Sequence, residues 1–568
     1  MNNTKKKIIL GTEDFKDIID NNIYFADKTG LIEKFFSHFS KVSIVTRPHK
    51  FGKSINQSMM RRFLEDEITT QGERVDNKYL FDGLAISGCS EDILKHQQQY
   101  PVIFLSFKNA KGSAFEETWQ KVCEAIAGEF HRHRYALECK GLLKWQKNDY
   151  IEFMNGTADF SKYTSSLQLL SEVLDEYHGR RPFLLADAYD TPLKSAYTHG
   201  FYDEMADCIC NMFEDVCKTN PHLERAVLTG IMNVKAKSAI SGFNNFTTND
   251  IFHSYFDDCF GFTEEDTEAA LEYYGLLDCR NKIREWYGNY TFGKRTIYNQ
   301  WSVLSYIKTA YESQDMTPRV YWPNPPHSDV IRNILCSVRG DICCAIEMLM
   351  DGRTIKESLY SFLTWEDLDN NDCLWSFLAA AGYLRADTQY MQEHFSYIEL
   401  AIPNLEVKTI CRQLMSEHFD SMIEQLDKSP LIKALEQGDC KTAETFIQTQ
   451  LAQAYICMMQ DKECRQYIIM AKLLCDVKDY SMVSDSDRSD IMLVPKDPQK
   501  CVIALKIAVS DTYTDIEAKC SEALKQLDDK QYTEAFINKG YPAVQKYGIS
   551  FYRFDCMLKQ GGIYRKNK

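Results

Sequence analysis

Four short apolar runs punctuate the first part of the chain, at residues 42–46, 101–107, 183–187 and 226–230. Between them the apolar positions fall three and four apart, as in 114–131 and 200–217, which is the spacing of amphipathic helices. Buried strands that alternate with helices build a parallel sheet covered on both faces. The pattern therefore predicts an α/β domain over residues 1–299. Residues 300–428 read as mostly helical, with breaks at Tyr321-Trp322-Pro323-Asn324-Pro325-Pro326 and around Asp369-Asn370-Asn371. Within that region, 374–384 is an apolar helix stopped by a glycine and followed by a strand, as in a helical lid or a winged-helix-like region. Residues 429–568 open with two or three helices as far as Val477. They then turn to strands at 491–495, 502–509 and 548–554 around one helix, 514–529.

The first apolar run leads into Thr46-Arg47-Pro48-His49-Lys50-Phe51-Gly52-Lys53-Ser54, and an amphipathic helix follows at 55–65. Strand, loop and helix in that order make the setting of a phosphate loop. Backbone N–H groups at the helix start wrap the phosphates, Lys53 reaches the β and γ oxygens, and the Ser54 hydroxyl can ligate Mg²⁺. The usual pattern places glycine where Arg47 stands. A second element follows the run 183–187, which ends in Asp187-Ala188-Tyr189-Asp190. An acidic residue at the carboxyl end of a buried strand suits a Mg²⁺-organising carboxylate, and Asp187 fills that place. Asp190 and Thr191 equally suit a helix N-cap. Thr229 could reach a terminal phosphate or its attacking water, and it could equally be a hydrogen-bonded turn residue.

Composition narrows the classes. At 568 residues the chain exceeds one ordinary core, and 44% hydrophobic content is globular rather than disordered. No run of about 18 apolar residues is present, so no membrane span is expected. The apolar stretch after the N-terminal lysines is too short for a signal-peptide core. Twenty cysteines are scattered without a C-x-x-C pair, which reads as buried reduced thiols in a cytoplasmic protein. The net charge of −15 argues against a chain that coats nucleic acid. Between Asp461 and Lys568, however, 18 basic side chains meet 16 acidic ones, which permits a local basic groove.

The loop motif, together with Gly11-Thr12-Glu13-Asp14-Phe15, Tyr24-Phe25-Ala26-Asp27-Lys28-Thr29, Asp187-x-Tyr189-Asp190-Thr191-Pro192 and Leu228-Thr229-Gly230, resembles the AAA-ATPase-like family of bacterial and mobile-element proteins. Ser241-Gly242-Phe243-Asn244-Asn245, Phe260-Gly261-Phe262-Thr263, Trp286-Tyr287-Gly288-Asn289-Tyr290 and Tyr298-Asn299-x-Trp301-Ser302-Val303 continue the resemblance. That family has an atypical phosphate loop and is often fused to a PD-(D/E)xK nuclease-like domain. The resemblance implies a P-loop NTPase sheet with a helical lid, a smaller C-terminal nuclease-like α/β domain, and ATP and Mg²⁺ as cofactors. The nucleotide would be bound by Arg47, Gly52, Lys53, Ser54, Asp187 and Thr229. Asp490 and, on the next strand, Ala504-Leu505-Lys506 resemble the nuclease signature of Asp followed by Glu-x-Lys. Asp490 would hold Mg²⁺ and Lys506 would steady the attacking hydroxide.

Two departures matter. The family has glutamate where Ala188 stands, a group worth roughly 10²–10⁴-fold in turnover as a base or water-orienting residue. The nuclease signature has glutamate where Ala504 stands. Gln526, on the following helix, could help but is not an obvious substitute. A family arginine is also missing after Thr229-Gly230, where Ile231-Met232-Asn233 stands. Natural decay and deliberate inactivation both account for two such alanines. Three functions are compatible with the chain: an ATP-gated nuclease of a defence or mobile-element type acting on DNA or RNA, a non-catalytic nucleotide-dependent interaction protein, and an ATPase acting on a protein partner. A homo-oligomer is compatible with each.

Overall fold

The computed structural model describes residues 5–37, 40–233, 246–322, 341–358, 360, 363–369, 373–392, 395–457, 465–484, 490–529, 532–553 and 555–565. The chain divides into two compact units, residues 1–326 with 354–408, and residues 327–353 with 409–568.

The first unit is built on a five-stranded, all-parallel sheet. Its strands are β1 (Val42–Thr46), β2 (Val102–Ser106), β3 (Phe183–Asp187), β4 (Arg225–Gly230) and β5 (Thr247–Asn249), in the order β2-β3-β4-β1-β5. The four apolar runs are the first four strands. The fifth is three polar residues, Thr-Thr-Asn, and carries no apolar run to reveal it. Helices lie between the strands: α1 (Lys53–Leu64) after β1, α2 (Phe115–Arg132) after β2, and α3 (Thr191–His199) with α4 (Tyr202–Cys217) after β3. Helix α2 shows the cause plainly, because Trp119, Val122, Ile126 and Phe130 recur at helical spacing and are buried. The break between α3 and α4 falls at Gly200, whose φ of +83° ends α3 in the left-handed region.

The sheet order decides where the chemistry lies. Strand β4 is inserted between β1 and β3, and the register pairs Thr229 with both Val45 and Asp187. The loop after β1, Asp187 and Thr229 therefore meet at the carboxyl edge of the sheet, where ligands of open parallel sheets bind.

The 300–428 region does not stand alone, in contrast to its expected boundaries. Beyond the hairpin β6 (Tyr290–Phe292) and β7 (Arg295–Ile297), helix α5 (Gln300–Ser313) buries Val303, Tyr306 and Ile307 with Leu271, Ile283 and Tyr287. The first core thus continues past residue 299. The region also holds an antiparallel sheet, in the order β8-β10-β9, of β8 (Ile355–Ser358), β9 (Arg385–Gln392) and β10 (Phe395–Ala401). The apolar helix is α6 (Leu374–Ala381), stopped by Gly382 as the pattern predicted. Residues 323–326, 370 and 371 of the expected breaks lie outside the described residues.

Glu406, in the first turn of α7 (Leu405–Gln425), staples this unit together. Its Oε1 accepts from the backbone N–H groups of Tyr321 (2.7 Å) and Trp322 (3.0 Å), and its Oε2 accepts from Ser302 Oγ (2.8 Å). Burial pushes the carboxyl pKa up to about 7 from 4.5. Between those values the folded state keeps a proton that the unfolded chain has released, so stability falls as pH rises through the window. The full effect is about 3 kcal/mol. Glutamine mimics the protonated acid, with its amide N–H donating to Ser302. Glu406→Gln is therefore expected to be neutral near about pH 4.5 and stabilising above about pH 7. Denaturant unfolding of both proteins at the two pH values tests this, and an equal difference at both would remove the argument.

The second unit opens with α8 (Ser429–Gln437), α9 (Cys440–Cys457) and α10 (Arg465–Leu474). A mixed sheet follows, β11 (Tyr480–Ser484), β12 (Asp490–Pro495), β13 (Val502–Val509), β14 (Ala543–Tyr552) and β15 (Asp555–Gln560), in that order. A further two-residue strand, β16 (Tyr564–Arg565), pairs with β14. Strands β13 and β14 are parallel, joined through α11 (Ile516–Asp529), and the neighbouring pairs are antiparallel. Ile491, Leu493, Ile503, Leu505 and Ile549 form one large core with Leu431, Ile447 and Ile469 of the three helices. The opposite face carries Met492, Val502, Ala504 and Val544 in a smaller cluster with Leu527 of α11.

Candidate functional site

Arg47 opens the loop, and its side chain is fully buried. Its Nη1 donates to the carbonyls of Thr46 and Asn249, both at 2.8 Å, and its Nη2 donates to Phe256 at 3.2 Å. The guanidinium also lies over the Phe260 and Phe292 rings, and burial pulls its pKa down to about 10. These contacts turn most of the guanidinium, expected among the nucleotide-binding groups, onto backbone carbonyls. Arg47 ties backbone carbonyls together where the usual loop has a glycine, while its Nε is buried without a hydrogen-bond partner.

The loop then passes Lys50 at φ +70° and Gly52 at φ +82°, which is the N-cap of α1. Gly52 suits the turn because its backbone is left-handed; a Cβ there would lie 2.9 Å from Gln300 Oε1, the movable end of a side chain. Phe51 anchors the turn by packing on the rings of Tyr290 and Phe292 at 4.9 and 5.2 Å. Lys53 and Ser54 occupy the first turn of α1, where backbone N–H groups have no helical partner and attract anions. The helix begins two residues earlier than the pattern predicted.

The Lys53 ammonium curls onto the loop, donating to the carbonyls of Arg47 (2.9 Å) and Pro48 (2.7 Å). Desolvation lowers its pKa to about 8, opposed by the charges of Asp190 and Asp187. His49, within the loop, is pushed down to about 3 by desolvation and by the charges of Lys53, Lys50, Lys108 and Lys194. Its Nδ1 is buried without a hydrogen-bond partner. A loop with converging cations and unpaired helix N–H groups fits a phosphate chain.

Across the sheet edge, the buried Asp187 accepts from Thr229 Oγ1 at 3.0 Å, and its Oδ2 lies 3.2 Å from the Lys108 ammonium. Gln57 of α1 approaches the same threonine, with its Nε2 at 3.3 Å from Thr229 Oγ1. Thr229 thus links strand β3 to the loop helix, and its hydroxyl is already engaged. Ala188 follows at φ +55°, a left-handed turn that sends the chain into α3. Asp190 is the N-cap residue of α3, but its carboxylate accepts instead from the N–H groups of Ile231 (2.8 Å) and Met232 (3.0 Å). Burial raises its pKa. The turn after β4 is therefore held by a carboxylate.

Among the described residues, no three His, Cys, Asp or Glu side chains gather to hold a metal. Mg²⁺ needs few protein ligands when phosphates supply the others. Ser54 opens α1 and Asp187 ends β3, and Asp187 already carries the Lys108 cation against its buried carboxylate.

Residues 9–240 match the family model described as a predicted AAA-ATPase. The matched stretch contains the loop, Asp187, Ala188 and Thr229. The chain is also similar to the "Uncharacterized protein in vnfD 5'region" of Azotobacter chroococcum mcd 1, at 25% identity over 417 residues, 71% of this chain and 69% of that protein. No helix among the described residues is long and apolar enough to cross a membrane. Ser241–Asn245 of the expected motifs lies outside the described residues. Asn299 caps α5 through its Oδ1, and Thr263 caps the helix Glu264–Tyr274, so these two motif residues shape helix ends.

In the second unit, Asp490 pairs in register with Lys506 on the adjacent strand, and the ammonium lies 2.8 Å from Asp490 Oδ1. Ala504 is on the same face, opposite Met492, and is 2% exposed within the apolar cluster. One carboxylate beside an alanine does not fit a Mg²⁺ site. Gln526 is exposed on α11. Sequence reasoning missed Lys108 and Glu13, whose places depend on strand order. It also missed His49, which only the surrounding cations single out.

Proposed function

We propose that the chain binds ATP with Mg²⁺ at the loop after β1 and hydrolyses it slowly. The observation that carries this reading is the Lys53 ammonium turned into a loop that Gly52 caps, facing Asp187 across the sheet edge. The α1 N-terminus and Lys53 would hold the phosphates, with Mg²⁺ on Ser54 and Asp187 neutralising their charge. Ala188 supplies no oxygen to hold an attacking water, so binding outlasts turnover. Ala188→Glu is expected to raise hydrolysis at saturating ATP by roughly 10²–10⁴-fold, with affinity little changed. Phosphate release assays on both proteins measure this. A variant that binds ATP and stays as slow as the parent would rule out position 188 as the missing base.

The second unit supports a nuclease-like partner domain whose chemistry is impaired. The reading is supported by Asp490 pairing in register with Lys506 on the neighbouring strand, which resembles the Asp and Glu-x-Lys signature with Ala504 at the place of its glutamate. The broader reading is an ATP-gated nuclease acting on DNA or RNA, of a defence or mobile-element type, in an inactive copy. The two alanines favour a non-catalytic, nucleotide-dependent interaction for this chain itself. Steeply salt-dependent DNA or RNA binding by the full chain would support the nucleic-acid partner over a protein partner.

A further inference from the structure

Lys108 stands two residues beyond β2, at the carboxyl edge where Ser106 pairs in register with Asp187. Its ammonium is held by two carboxylates: Asp187 Oδ2 at 3.2 Å, and Oε2 of Glu13 from the N-terminal segment. The two anions differ. Asp187 is buried at 3% exposure, whereas Glu13 is 55% exposed and solvated, so the Glu13 contact is the weaker one. Lys108 is also charge-coupled to His49, Lys50 and Lys53, three residues of the phosphate loop, which places it over the same space. The neighbouring loop cation is largely engaged, because both terminal nitrogens of Arg47 donate to backbone carbonyls.

We propose that Lys108 binds the terminal phosphate of a nucleoside triphosphate, exchanging its contact with Glu13 for a phosphate oxygen while keeping Asp187. This rests on the nucleotide reading above and adds a discriminating residue to it. Lys53 and the helix N-terminus hold what a diphosphate also offers. Lys108 comes from the Asp187 side of the cleft and meets only the third phosphate. Glu13 then acts as the anion that fills the place when no terminal phosphate is present.

The test is calorimetric titration of the full chain with Mg²⁺–ATP and Mg²⁺–ADP, using the wild type, Lys108→Gln, Lys108→Arg and Glu13→Gln. Glutamine keeps a donor for buried Asp187, and circular dichroism checks that each variant folds. Lys108→Gln is expected to weaken ATP about tenfold or more while leaving ADP within about threefold. Lys108→Arg should recover most of the ATP affinity, and Glu13→Gln should keep or improve it. Equal loss for both nucleotides, or no loss for either, overturns the proposal. A wild type that binds neither nucleotide brings down the nucleotide reading itself, and this inference with it.

Discussion

A Lys53→Ala chain is expected to lose ATP binding by about a hundredfold or more while remaining folded. The lysine contributes no apolar core packing, and its two hydrogen bonds go to loop carbonyls at 2.9 and 2.7 Å that water can replace. What it brings to a ligand is a desolvated positive charge at the start of α1. Charge-assisted bonds there are stronger than in open solvent because fewer waters compete. Its pKa of about 8 adds a second signature, since affinity should decline as pH rises past that value and the ammonium loses its proton. Arg47→Ala should behave differently. It strips donors from the carbonyls of Thr46, Asn249 and Phe256 and should lower the thermal unfolding temperature before it affects any ligand. Calorimetric titration with Mg²⁺–ATP and thermal unfolding of both variants separate the two roles. Tight ATP binding by a folded Lys53→Ala protein would falsify the phosphate-loop assignment.

Ala504→Glu is expected to couple folding to metal. Position 504 is 2% exposed among Met492, Val502, Leu527 and Val544, so a carboxylate there is desolvated next to the Asp490–Lys506 pair. Without metal the variant should lose about 2–4 kcal/mol of stability, the range for an uncompensated buried charge. With Mg²⁺ or Mn²⁺ the two carboxylates gain a shared cation, and the loss should be largely recovered. Metal-dependent cleavage of DNA or RNA should then appear, and adding Asp490→Ala should remove both the stabilisation and the cleavage. Unfolding in chelator against Mg²⁺, with a nuclease assay on a broad substrate panel, reads both effects. A folded variant that gains neither from metal would leave the second unit as a docking module.

Much of the fold was legible because it is written in local periodicity. The apolar runs at β1, β3 and β13 end within a residue of their strands, since burial on both faces makes most of their positions apolar. Strand β5 was invisible because Thr247, Thr248 and Asn249 gain their place from pairing with β1. Residues 300–428 were expected as a separate region because the alternation of strands and helices gives way there to a mostly helical pattern. Val303 and Ile307 instead pack into a core begun by residues far earlier.

By itself the sequence determined which chemistry could be present. Gly52-Lys53-Ser54 follows a strand and opens a helix, Asp187 ends a buried strand, and alanine stands at 188 and 504. These are one-dimensional facts, because backbone conformation and strand burial depend on near neighbours. Tertiary structure alone decided what each group faces. It turned Arg47 inward onto Asn249 and Phe256, brought Lys108 between Glu13 and Asp187, and enclosed Ala504 beneath Leu527. The physical reason is strand order. A parallel crossover leaves no local mark of which strand will be its neighbour, yet inserting β4 between β1 and β3 sets every distance across the sheet edge.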